Sequence, residues 1–358
     1  MSSEHLTLTT YFGERERTPG GLLADGLLDL YARSEIRTSV LLRGAEGFGA
    51  LRHLRSDRLL SLSEDLPVVA IAIDTEARIQ ALLGPVLELQ RRGLITLERT
   101  RVLEPGATTV QLPPELDEAM KLTIYLGRRE RVAGKPAHVA VCELLHRSGI
   151  AGASVLLGVD GTRSGQRARA RFFSRNTDVP TVILAVGSGQ RIVQVLPELD
   201  ALLDQSHRTL ERVRVCKCNG ELLAAPHELP ATDERDLALW QKLTIYSSQS
   251  ARSNGHPLHL QIIRQLREAG AAGATSVRGI WGFHDDRVIH GDRFLQLGRH
   301  VPVVTTVIDA PERIERSFGI VDELTAEHGL VTSEMVPALR AMSATAARGG
   351  LQLADHAF

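Results

Sequence analysis

The sequence is short of cysteine and of aromatic residues, has no excess charge of either sign, and lacks long apolar runs. Each shortage excludes a class of protein. The three cysteines, Cys142, Cys216 and Cys218, are too few and of odd number for a disulfide framework, and they point to a reducing, cytoplasmic setting. Cys216-Lys217-Cys218 has no second pair of ligands nearby, so it reads as ordinary strand-end residues rather than a metal clip. No apolar run approaches the roughly 20 residues of a membrane helix. Residues 1–5 carry neither a basic nor an apolar leader segment, so neither secretion nor membrane embedding is expected. A formal net charge of −1 supplies no global field to recruit nucleic acid. Nucleophile-elbow, zinc-protease and kinase signatures are all missing. The expectation is a binding protein rather than an enzyme, with no cofactor.

What is present is repetition. Leu122-Thr123-Ile124-Tyr125 returns as Leu243-Thr244-Ile245-Tyr246 and, more loosely, as Leu8-Thr9-Thr10-Tyr11. A Gly-x-x-Gly pair follows each time: Gly44/Gly47, Gly158/Gly161 and Gly279/Gly282. A proline then precedes an apolar stretch, at Pro67, Pro180 and Pro302. The period is roughly 110–120 residues, the size of a domain rather than of a solenoid repeat. The boundaries fall at 1–104, 119–218 and 238–338, with a tail at 339–358. Pro, Thr, Gly and acidic residues mark exposed connections near 104–118 and 219–236.

Within copy one, periodicity predicts strand 6–12, helix 22–33, strand 36–42, strand 68–73, a helix capped by Asp74 or Thr75 and running to about 92, and strand 95–103. Copies two and three fit the same template. The order strand, helix, strand, strand, helix, strand is that of the α+β ferredoxin-like (βαββαβ) fold. The Ala- and Gly-rich tail reads as partly helical or loose. Strand three is apolar without alternation in every copy, as in Val68-Val69-Ala70-Ile71-Ala72-Ile73. A sheet with helices on one face and water on the other should alternate. The second face is therefore covered, either by the other copies packing around a shared axis or by edges and neighbouring loops.

At Leu122-Thr123-Ile124-Tyr125-Leu126-Gly127, Arg43-Gly44-Ala45-Glu46-Gly47-Phe48-Gly49 and Leu62-Ser63-Glu64-Asp65-Leu66-Pro67 the sequence resembles the PII-like family called domain of unknown function 190. The resemblance covers nearly the whole chain, one family domain per copy, and copy one matches best. It implies three ferredoxin-like domains packed as an intramolecular pseudo-trimer. It also implies a regulatory protein with a small anionic effector, such as an adenine nucleotide, in clefts between copies. Long loops between strands two and three would then contact a regulated target. Some family members accompany fluoride-channel-type proteins, which implies a membrane transporter or channel as that target. A scaffold that binds a partner without any small ligand is the alternative.

Two sets of residues are the candidates. The ligand set comprises Gly44, Gly47, Phe48 and Gly49, with Gly158, Gly161, Gly279 and Gly282. Glycine lets backbone N–H groups approach an anion, though a sharp loop exit needs glycine just as much. Arg99, Arg101, Arg212 and Arg214 join this set because the resemblance places basic fourth-strand residues at the effector cleft. The partner set lies in the loops between Gly and Pro, which keep 22, 21 and 22 residues. It comprises Arg52, Arg55 and Arg58, then Arg163, Arg167, Arg169 and Arg171, then His284 and His290. Arginines there suit phosphates or carboxylates, or form a solvated loop. His284, Asp285, Asp286, His290 and Asp292 offer ligands to a divalent ion, but read first as a polar, pH-sensitive surface.

Overall fold

The computed structural model describes the chain apart from residues 1–3, 50–54, 57–64, 104–118, 164, 168–178, 204–205, 285–289, 292–300, 344 and 357–358. Unit 1 comprises β1 (His5–Gly13), α1 (Leu23–Arg33), β2 (Thr38–Arg43), β3 (Glu46–Phe48), β4 (Pro67–Thr75), α2 (Glu76–Leu89) and β5 (Gly93–Leu103). Unit 2 comprises β6 (Ala119–Gly127), α3 (Ala137–Arg147), β7 (Gly152–Leu157), β8 (Asp160–Arg163), β9 (Pro180–Ser188), α4 (Gly189–Leu202), β10 (His207–Arg212) and β11 (Arg214–Cys218). Unit 3 comprises β12 (Trp240–Ser248), α5 (Leu258–Glu268), β13 (Ala274–Arg278), β14 (Trp281–Phe283), β15 (Pro302–Asp309), α6 (Pro311–Leu324), β16 (Leu330–Val336), β17 (Ala338–Met342) and β18 (Ala347–Gly350). Two-residue ladders complete the set.

The strands of unit 1 lie in the order β2-β4-β1-β5, all antiparallel, and units 2 and 3 repeat it as β7-β9-β6-β10 and β13-β15-β12-β16. Helices cover one face. Leu23, Leu27, Leu28 and Tyr31 of α1 recur at helical spacing and are buried against that face. The other face explains the unbroken apolar third strands. Val40, Leu42, Val69 and Ile73 of unit 1 pack into one cluster with Leu156, Val182 and Val186 of unit 2 and Tyr246, Val277 and Val304 of unit 3. The units thus cover one another's second faces.

Two exchanges of strands hold the units together. In the first, the segment after each Gly-x-x-Gly start adds to the edge of a neighbour: β3 pairs with β13, β8 with β2 and β14 with β7. In the second, each fourth strand runs on into the next unit. The end of β5 pairs with β10, β11 pairs with β16, and β17 pairs with β5. Both circuits close, so each unit gives and receives an edge. This removes exposed edges that would otherwise template aggregation.

Two expectations need correction. The tail is not helical: β17 and β18 form a hairpin against β5. The unpaired edge of β5 satisfies the backbone of β17, which outweighs the helical preference of alanine. Nor does a side chain cap α2. Asp74 instead accepts the N–H of Thr75 and that of Arg37, both at 2.8 Å, joining the helix start to β2, and the helix ends at Leu89. None of the helices among the described residues is long and apolar enough to cross a membrane.

Candidate functional site

The repeated landmarks turn out to be the joints of the strand exchange. The N–H groups of Gly44, Gly158 and Gly279 donate to the carbonyls of Pro67, Pro180 and Pro302 at 2.7, 2.9 and 2.7 Å. A Cβ on Gly47, Gly161 or Gly282 would lie 2.6, 2.2 or 2.3 Å from a carbonyl oxygen of the neighbouring edge strand. One on Gly44, Gly158 or Gly279 would lie 2.6 to 2.7 Å from the proline or an adjacent carbonyl. Real Cβ atoms do not approach so closely, so packing alone demands glycine at all six positions.

Next to one of these joints lies a cavity of about 860 Å³, between units 1 and 3. Phe48 and Gly49 of the ligand set line it, and so does Arg55 of the partner set. Unit 1 also supplies the turn after β1 and the turn between α2 and β5. Unit 3 supplies the short segment Gly270-Ala271-Ala272-Gly273, the start of α6 and the β17–β18 hairpin.

The lining is cationic. Seven arginines face four carboxylates, with Arg15, Arg17, Arg91 and Arg92 on one side and Arg313 and Arg348 on the other. Two of the carboxylates are already engaged. Asp65 accepts the N–H of Arg15 at 2.7 Å and pairs with Arg55 at 2.9 Å. Asp309 is buried and accepts the N–H groups of Ala272 and Ala310, both at 2.9 Å. Among the described residues neither Arg91 nor Arg92 forms an ion pair, and both are exposed. The Arg348 guanidinium lies 4.6 Å from the centre of the Trp240 ring, a cation–π contact. Burial raises the Glu16 carboxyl above its usual range, against the lowering effects of the Gly13 backbone, Arg55 and Arg92. The arrangement offers planar, charged donors around a cavity of small-molecule size, which suits a phosphate or carboxylate ligand.

Other sequence candidates lie elsewhere. Arg99 binds the carbonyl of Ala354 and the carboxylate of Asp355, each at 2.9 Å, and so pins the chain end. Arg101 is exposed on β5, Arg212 is half-buried, and Arg214 donates to the carbonyl of Ala225 at 3.3 Å. None of these four lines the cavity. Arg163 pairs with Glu130 at 2.9 Å, and Arg167 is held among Asp160, Asp25 and Asp29. His284 is buried, and His290 begins a short ladder against β14. Arg52, Arg58, Arg169, Arg171, Asp285, Asp286 and Asp292 lie outside the described residues. The described residues contain no group of three or more His, Cys, Asp or Glu side chains placed to hold a metal ion.

Arg91 and Arg92 were missed by motif reading, yet a signal exists. Aligning the copies puts Asp204-Gln205 and Glu327-His328 at the same place, so the cationic pair belongs to unit 1 alone.

Comparison with known proteins gives two findings. The family profile DUF190, described as "Uncharacterized ACR", matches residues 5–102, 119–215 and 240–338. A UPF0166 protein of Aquifex aeolicus (strain VF5) is 33% identical over 95 residues, which span 26% of this chain and 88% of that protein.

Proposed function

The chain belongs to the DUF190 family, with three family domains in one polypeptide, and from that premise we propose that it is a PII-like regulatory protein taking a small anionic effector in the cleft between units 1 and 3. On this reading each unit is a ferredoxin-like domain and the three form an intramolecular pseudo-trimer. The shared strand order and the closed exchange of edges support it. An adenine nucleotide is the effector class the proposal favours. The observation that carries it is the cavity of about 860 Å³ whose arginines outnumber its carboxylates seven to four, a volume within the range of small-molecule sites.

The path to a target follows from position. Phe48, Gly49, Arg55 and Asp65 line the cleft and belong to the loop between β2 and β4. An occupant that engages Arg55 competes with Asp65 and biases that loop. The loop then presents or withdraws a surface for a regulated protein, a membrane transporter or channel on this reading, met from the cytoplasm. No catalytic step is assigned.

Calorimetry of the full chain against adenine nucleotides, cyclic nucleotides and 2-oxoglutarate tests the proposal. One-site binding is expected, weakened when Arg91 and Arg92 are replaced by alanine. Silence across the panel would retire the effector. It would favour the second reading, a ligand-free partner scaffold, to which the divergence of the three loops points.

A further inference from the structure

We propose that a monovalent alkali cation binds between Thr7 and Glu211, where the chain lacks the third lysine of a buried ring of charges. This rests on a different part of the molecule from the arginine-lined cleft. In each unit the first strand faces the fourth in one register: Thr7 opposite Glu98, Lys121 opposite Glu211, Lys242 opposite Glu334. The ion pairs, however, run onward to the next unit. Lys121 reaches Glu334 and Lys242 reaches Glu98, each at 2.5 Å, and Lys242 also touches Glu334 at 3.2 Å. Completing that cycle would require a cation at residue 7 to meet Glu211. Residue 7 is threonine, so two ammonium groups serve three carboxylates.

A carboxylate withdrawn from water needs a compensating charge. Glu211 accepts a hydrogen bond from the Thr100 hydroxyl at 2.6 Å through Oε1, but its Oε2 is buried with no partner. The Thr7 hydroxyl oxygen is buried without a partner too. Thr209, fully buried and two residues from Glu211 on the same strand face, has an equally unsatisfied hydroxyl, and so does Oε1 of the buried Glu334. All of these atoms are hard oxygen donors, and together they carry one uncompensated negative charge. That set fits sodium or potassium rather than a transition metal, which would need nitrogen or sulfur, or magnesium, which would hold several waters. Thr7 and Glu211 are only half-buried, so an ion can enter from the end of the ring.

The test is the thermal midpoint of the full-length protein in sodium, potassium and choline chloride at matched ionic strength, choline being too bulky to enter. Wild type should melt roughly 2–4 °C higher in an alkali salt than in choline. Thr7→Lys supplies the missing ammonium, so its midpoint should no longer distinguish the cations. Glu211→Gln removes the charge and should lose the distinction as well, which keeps the test decisive if the lysine variant fails to fold. The double variant Arg91→Ala/Arg92→Ala should keep the wild-type difference, separating this site from the effector cleft. Equal midpoints for wild type in all three salts would overturn the proposal, as would a difference that persists in Thr7→Lys or Glu211→Gln. A wild-type midpoint that responds to acidification but not to the cation would assign the position to a proton instead, and would overturn it too.

Discussion

Unit 1 joins unit 3 and unit 2 by the same two strand exchanges, yet the two junctions are walled differently. Toward unit 3 the wall is Gly270-Ala271-Ala272-Gly273, and the small side chains leave the arginine-lined cavity. Toward unit 2 the same positions read Glu35-Ile36-Arg37-Thr38, with Ile36 fully buried. There the hairpin beyond β8 is fastened by Arg167 among Asp160, Asp25 and Asp29, while Asp160 holds the Arg167 guanidinium charged despite partial burial. In the sequence, the positions of Arg91-Arg92 in unit 1 read Asp204-Gln205 in unit 2. Joining three copies in one chain frees each junction to specialise, which an assembly of identical subunits cannot do.

The comparison can be broken in four ways. The largest effect belongs to the joint itself. Gly161→Ala places a Cβ 2.2 Å from the Ser39 carbonyl and should cost about 3 kcal/mol of stability in chemical denaturation. Gly49→Ala, where no atom lies within 4 Å, should change stability by less than about 0.5 kcal/mol. Equal effects would refute the packing account of the repeated glycines. Next, Arg91→Ala/Arg92→Ala should weaken effector binding on the order of 30- to 100-fold, the scale of lost charge-assisted hydrogen bonds. Unchanged affinity would move the site elsewhere.

A smaller effect concerns Glu16. Its carboxyl titrates above the usual range because of burial. As pH rises through that value the cleft gains a negative charge, so anion affinity should fall. Glu16→Gln should bind roughly 3- to 10-fold more tightly at neutral pH and flatten the pH profile. Burial also means that the ionised form costs stability, a cost relieved below the folded-state pKa, so the variant should gain slightly at neutral pH. A titration with the same slope in both proteins would exclude Glu16 from the cleft. Smallest is Arg167→Met, expected to cost about 0.5–1 kcal/mol at low salt and less at high salt. Insensitivity to salt would show that the unit 1–unit 2 latch is not electrostatic.

Much of the architecture was readable before any coordinates. The triple landmarks gave the units, and the absence of alternation in β4, β9 and β15 gave the covered second face. That face now shows Val69, Val182 and Val304 in one cluster. Alternation along β5 puts Glu98 and Arg99 on opposite faces, the first buried and the second exposed. It could not tell which side was the cleft, and Arg99 went to the chain end. The C-terminal hairpin was hidden because its partner edge exists only after unit 3 reaches unit 1. The cleft was hidden because its lining comes from two stretches far apart in the sequence, residues 11–94 and 240–348. Arg91-Arg92 has no motif of its own and stands out only against the other two copies.

The closed circuit of exchanged edges also dictates a timetable for biosynthesis. β3 must wait for β13, and β5 must wait for β17, near the end of the chain. Unit 1 therefore leaves the ribosome before the strands that complete it, and until they follow it carries an apolar face and an open edge for which chaperones and aggregation compete.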